Sequence, residues 1–253
     1  MFRAAIALCA LAGAGEAARA EPKVGSTVAA INDVTRVLSG EASPLKAGDP
    51  VFRNEIVRTA AGSKAKLVFL DSTNLVVGPA SEMTLDEFVY AGPTEQPNAQ
   101  KMQASLTKGV FRFTTGTLDK KAYLISTPVA SIGVSGTVLD IRIAGGQTRV
   151  TLVEGGALLC PRKRGVAFEQ QRRACAKASG GGSAPGCDCV DLDVPGQTAE
   201  VKKAGGATRA NRSSTPVDTV ALCAGGLCSA QSSSGALSGG PAGGFPAGAL
   251  CGH

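Results

Sequence analysis

Histidine occurs once in this chain, as the terminal residue His253, and tryptophan does not occur at all. Nucleophile schemes that need a fixed imidazole base, Ser-His or Cys-His, are therefore excluded. Two tyrosines and eight phenylalanines in 253 residues leave little for an aromatic platform that stacks on sugar rings. No apolar run reaches the roughly 20 residues that a membrane-spanning helix needs. Phosphate-loop and dinucleotide fingerprints are missing. Gly133-Val134-Ser135-Gly136-Thr137 comes near a nucleophile elbow, but Thr137 stands where the last glycine belongs and no strand-to-helix context follows. Glycines that let strands bend or approach closely account for it better. A sustained 3.6-residue apolar period is absent as well, so little helix is expected.

What is present begins with an export signal. Met1-Phe2-Arg3 places a positive charge before the small apolar run 4–14, and Ala18-Arg19-Ala20 supplies an A-x-A cleavage site. Cleavage after Ala20 is expected, with delivery to the periplasm or beyond and no integral membrane segment afterwards. Cys9 does not make a lipoprotein signal, because Leu8 before it is too large. Export also argues against nucleic acid as a partner. Charge is uneven: residues 21–158 carry 14 Lys and Arg against 13 Asp and Glu, whereas residues 159–253 carry 10 against 6. This mild basicity suits acidic partners such as anionic headgroups or polysaccharide, and equally suits a plain solvated surface.

Residues 24–160 read as a succession of short strands. Residues 27–31 and 34–38 flank the polar turn Asn32-Asp33. In Lys64-Ala65-Lys66-Leu67-Val68-Phe69, residues Ala65, Leu67 and Phe69 share one face, the core face. Asp71-Ser72-Thr73-Asn74 then turns the chain toward Leu75-Val76-Val77. Met83 and Leu85 share a face in the next alternating run, and residues 91–100 form a polar loop. Strand candidates at 105–107, 110–114 and 122–126 are divided by Gly109, Gly116 and Asp119-Lys120-Lys121. Residues 127–155 read as paired strands around Gly145-Gly146. Such spacing predicts an all-β fold, a two-sheet sandwich or a twisted solenoid.

Certain words in this body resemble a known family. Gly48-Asp49, Ile56-Val57-Arg58-Thr59, Gly62-Ser63-Lys64-Ala65, Leu67 through Thr73 and Ser81-Glu82-Met83-Thr84-Leu85 resemble the first half of a FecR-type domain. Lys108-Gly109-Val110-Phe111, Ser126 through Ala130, Gly133 through Val138 and Val153-Glu154-Gly155 resemble its second half. The resemblance implies an all-β periplasmic module. In iron-uptake regulators of that family the module lies outside the membrane, on a protein whose cytoplasmic segment controls a sigma factor. Neither a cytoplasmic segment nor a spanning helix is expected here, so that activity is not carried over, and a stand-alone binding or scaffold module for an envelope protein or glycan is. Two departures stand out. Ser72 occupies a turn position where the family pattern has glycine, and Ser135 stands where relatives commonly carry Arg.

Seven cysteines follow the signal: Cys160, Cys175, Cys187, Cys189, Cys223, Cys228 and Cys251. In an exported chain they point to disulfides. Cys160 and Cys175 are expected to link to Cys187 and Cys189 in either combination, and Cys223 to Cys228, with Cys251 free or bridging to another molecule. A tetrahedral thiolate metal site fits less well, since Cys187-Asp188-Cys189 is C-x-C rather than C-x2-C, and no metal or other cofactor is expected. A short helix over 168–174 and a hairpin through 190–201 would dock this extension, 161–204, on the β body. Residues 205–253 read as a low-complexity tail.

The binding residues put forward are Ser135, Thr137, Asp140 and Arg142, around the glycine motif. The competing readings are an accessory in iron-linked signalling and a polysaccharide hydrolase drawing a carboxylate pair from Asp71, Asp86, Glu87, Asp140 and Glu154.

Overall fold

The computed structural model describes residues 21–90, 100–176, 187–204 and 207–228. The export signal, residues 91–99 of the polar loop, Cys251 and the Gly/Ser/Ala-rich stretch 229–248 lie outside them. The strands are β1 (Lys23–Ile31), β2 (Val34–Leu38), β3 (Glu41–Pro44), β4 (Pro50–Phe52), β5 (Ile56–Thr59), β6 (Lys64–Phe69), β7 (Asn74–Val77) and β8 (Glu82–Val89). They continue with β9 (Lys101–Thr114), β10 (Tyr123–Ser126), β11 (Ala130–Ala144), β12 (Gln147–Pro161), β13 (Val190–Leu192), β14 (Thr198–Ala204) and β15 (Ala207–Ser213). Helix α1 (Phe168–Ala176) follows β12, and the single turn α2 (Val220–Cys223) follows β15. The fold is all-β.

Three long strands, β9, β11 and β12, run through the whole sheet and divide it into two limbs. In the first limb, β8 and β10 flank the start of β9, β10 pairs with the start of β11, and β13 pairs with the end of β12. The second limb carries β1, β6 and β7 on the end of β9, and β14 and β15 on the start of β12. The limbs face each other across one core: Phe69 of β6 lies 5.9 Å from Phe88 of β8, though these strands do not pair. Phe113 meets Tyr123 edge-on at 6.0 Å in the same cluster.

Each long strand bends at a glycine, and the alternation of buried residues changes phase there. In β9 the buried positions run Met102, Ala104, Leu106 and then Phe111, Phe113, with Gly109 between. In β11 they run Ala130, Ile132, Val134 and then Leu139, Ile141, Ile143, across Gly136. In β12 they run Thr148, Val150, Leu152 and then Ala157, Leu159, across Gly155. An inserted residue at each bend keeps the concave face apolar on both limbs, the office of a β-bulge. All three glycines have positive φ, at 110°, 62° and 83°. Gly109 therefore bends a strand that the sequence pattern divides in two.

The extension after residue 160 docks on this body. β14 pairs with β12 from Thr198 to Lys202, and α1 sets Phe168 against Gly133, where a Cβ would fall 2.5 Å from the ring. Disulfides join Cys160 to Cys189, Cys175 to Cys187 and Cys223 to Cys228.

A tail beginning at residue 205 is not what forms. β15 pairs with β14 at seven positions, and residues 214–228 continue across the outer face of the second limb. Val217 donates its N–H to Thr151 Oγ1 at 2.8 Å, and Leu222 and Leu227 are buried with Val76 against Ala29, Ile31 and Val110. Val217, Leu222 and Leu227 recur every five residues, a spacing of neither strand nor helix and too sparse to read as a structural element. They suffice because Gly78 leaves a hollow: a Cβ there would lie 2.9 Å from Leu222 Cδ1.

Candidate functional site

The outer face of the first limb carries a groove of about 610 Å³. Its floor is Gly133, Val134 and Ser135 of β11 with Gly156, Ala157 and Leu158 of β12. One wall is α1, through Phe168, Arg172 and Cys175, and Cys187, Cys189 and Asp191 complete the rim with Lys120 and Lys121. The helix starts where the apolar ring of Phe168 can seat over side-chain-free Gly133, and the Cys175–Cys187 bridge fixes its far end. Arg172 is held by Glu169 one turn back, Nη2 to Oε2 at 2.6 Å. Burial, reinforced by the neighbouring Asp193 charge, pushes the Asp191 carboxyl above its ordinary value. The result is an apolar trough with cations and carboxylates at its margins. It can receive a side chain or a short segment.

Tyr123 also lines the groove, and its hydroxyl anchors a buried polar hub beneath it. The hydroxyl donates to Asp71 Oδ2 at 2.8 Å and accepts from the Leu118 N–H at 3.0 Å. Thr73 donates its hydroxyl to the same carboxylate oxygen at 2.6 Å, and the Thr73 N–H donates to Oδ1 at 3.1 Å. Burial raises the Tyr123 phenol well above its usual range, and the Asp71 charge adds to the rise. Asp71 is fully buried, so it serves as the knot of the β6–β7 turn. Ser72 in that turn has φ 68°, the left-handed conformation that glycine adopts without strain.

The four residues expected to act together are separated. Ser135 is exposed in the groove. Thr137 is buried at the β11 bend: its hydroxyl donates to Gly156 O at 2.6 Å and accepts from the Ser135 N–H at 2.9 Å. Asp140 is buried too, and accepts both Arg112 Nε and Nη2 at 2.7 Å. That bidentate pair holds the guanidinium in its charged form. Arg142 lies exposed near the β11–β12 turn, beside Gln147 and Arg149. Of the remaining acids, Asp86 accepts from Ser105 Oγ at 2.7 Å and Glu154 is exposed. Thr137 and Asp140 thus spend their polar atoms on the fold, whereas Ser135 and Arg142 face solvent on different parts of it.

Phe168, Arg172 and Asp191 are groove residues that sequence reasoning missed. The one signal was the cysteine set, since the Cys160–Cys189 bridge returns the chain to the end of β12. Among the described residues no helix is long and apolar enough to cross a membrane, and no group of three or more His, Cys, Asp or Glu could hold a metal ion.

Comparison with known proteins adds one firm result. Residues 55–158 match the family model described as FecR protein. No curated protein matches the chain. Two crystal structures of a presumed anti-sigma factor from Parabacteroides distasonis ATCC 8503, at 2.50 and 1.65 Å resolution, are similar at 10% identity and a TM-score of 0.41. Each likeness covers 62% of this chain and 59% of the other, so the chain spans about three fifths of the length of those structures. From buried Glu55 through the bends at Gly109 and Gly136 to Leu158 in the groove floor, residues 55–158 form a FecR domain.

Proposed function

We propose that this protein is a non-catalytic periplasmic module that binds a segment of an envelope protein in the groove beside Gly133 and Ser135. One observation carries the reading: the floor of the groove belongs to the FecR domain, while its wall, including Phe168, Arg172, Cys187 and Asp191, is supplied by the disulfide-bonded extension beyond it. Three disulfides suit an oxidising compartment. A non-catalytic role is supported by the structural occupation of Asp71 and Asp140, the two most buried of the five candidate hydrolase acids, by Thr73, Tyr123 and Arg112.

The test is cross-linking in intact cells with mass spectrometry of the captured envelope protein. Ser135→Trp fills the groove floor from an exposed position and should abolish capture of the partner that the wild type holds. Lys46→Gln, an exposed change in the β3–β4 connection, should leave capture intact. Retained capture by a folded Ser135→Trp protein removes the groove as the docking site.

A further inference from the structure

We propose that a second surface, the outer face of the β11–β12 hairpin end around Arg142 and Arg149, recognises the oxyanions of an acidic glycan. The register places Arg142 of β11 directly opposite Arg149 of β12. Opposed residues of an antiparallel pair have Cβ atoms about 4.5–5.5 Å apart, and like charges there repel. Glu200 on β14 stands opposite Arg149, and Asp140, two residues before Arg142 on β11, is already taken by Arg112. Glu200 Oε2 accepts Gln147 Nε2 at 2.5 Å and Arg149 Nη2 at 3.1 Å, and its Oε1 takes Lys202 Nζ at 2.5 Å. One carboxylate thus serves Arg149 and Lys202, and among the described residues Arg142 has no acidic partner. The cluster of three cations and one anion is left with excess positive charge.

Geometry gives that excess a place to act. Arg142, Ala144, Gln147 and Arg149 line a shallow, solvent-open hollow of about 50 Å³. A water needs about 10–15 Å³ of such space, so the hollow has room for a single carboxylate or phosphate head. Guanidinium forks bind such groups through paired hydrogen bonds, and Gln147 adds an amide.

The surroundings narrow the ligand. The turn beside the hollow is Ala144-Gly145-Gly146, with no large apolar side chain to enter a bilayer. Among the described residues its lining, Arg142, Ala144, Gln147 and Arg149, offers no apolar trough to seat a peptide side chain. A lone exposed anion contact is weak in salt. A polymer that repeats its anions gains by rebinding at high local concentration. An acidic polysaccharide meets all three conditions.

Binding of the full secreted chain to polygalacturonate is measured at low and physiological salt. Neutral dextran, inorganic phosphate and phosphatidylglycerol vesicles are run in parallel. Wild type should bind polygalacturonate more weakly as salt rises and ignore dextran. Arg142→Gln should weaken that binding roughly five- to tenfold, as expected for loss of a charge-assisted contact. Lys46→Gln, which removes the same charge elsewhere, should change it less than about twofold. Ser135→Trp should bind the polymer as wild type does, which separates this surface from the groove. The proposal is overturned if wild type does not bind polygalacturonate, if Lys46→Gln loses as much as Arg142→Gln, or if the vesicles bind more tightly than the polymer.

Discussion

Replacing Gly155 by alanine is expected to cost far more than its single methyl group suggests. Gly155 sits at φ 83° in the bend of β12, and a Cβ there would lie 1.9 Å from Gly136 O, 2.7 Å from Gly136 C and 2.9 Å from Thr137 Cα. All three are backbone atoms of β11. They have little freedom to retreat: Thr115 donates its N–H to Thr137 O at 3.0 Å, Thr137 returns its N–H to Thr115 Oγ1 at 2.8 Å, and its hydroxyl holds Gly156 O at 2.6 Å. The left-handed conformation costs a non-glycine residue about 1–2 kcal/mol. Forced overpacking adds about 1–3 kcal/mol. Against this, alanine stiffens the unfolded chain by about 0.4–1 kcal/mol. The net loss should be about 2–4 kcal/mol. Gly136→Ala is the matched control, since its φ of 62° carries the same conformational strain but its Cβ would meet nothing within 4 Å. It should lose no more than about 1.6 kcal/mol. Urea unfolding with the disulfides intact reads both, and at ~2–3 kcal/mol per molar urea the first should shift the midpoint by about 1 M. Equal losses for the two variants would show that the bend is not set by close approach of the strands.

Ser72→Gly should stabilise the protein by about 0.5–1 kcal/mol, because Ser72 holds φ 68° while its backbone O accepts Asn74 Nδ2, a bond that glycine keeps. An unchanged or lower thermal midpoint would contradict this. Glu200 should mark an acid-sensitive contribution. Burial raises its pKa, but hydrogen bonds from Lys202 and Arg149 and their charges outweigh burial and hold it below the ordinary 4.5. A depressed folded value means stability present above the unfolded pKa and lost as pH falls through the folded one. The stability difference between wild type and Glu200→Gln, taken from urea unfolding at pH 7 and then stepwise below 4.5, should shrink with acidification; a constant difference would refute the assignment.

Much of the architecture was legible as local pattern. Ala65, Leu67 and Phe69 declare their buried face by alternation, and Ser72 declares a left-handed turn by standing where glycine is usual. The expectation that Cys160 and Cys175 pair with Cys187 and Cys189 matches the bridges that form, Cys160–Cys189 and Cys175–Cys187. Spacing could not choose between the two combinations, because two residues apart on one strand-like segment both partners are within reach. Candidate sites were less legible. Ser135 and Thr137 are two positions apart in sequence, yet one faces solvent and the other closes a bend, because Gly136 between them shifts the phase of the strand.

By itself the sequence determined the all-β class, the FecR resemblance and the glycine turn at 145–146, since each depends on residues close in the chain or on a repeating period. Tertiary structure alone decided that Asp140 is consumed by Arg112, that Arg142 faces Arg149, that Phe168 walls a groove over Gly133, and that Leu222 fills the hollow at Gly78. These pairings join residues 7 to 144 positions apart. They follow from register and from the bends at three glycines, which no short window of sequence contains.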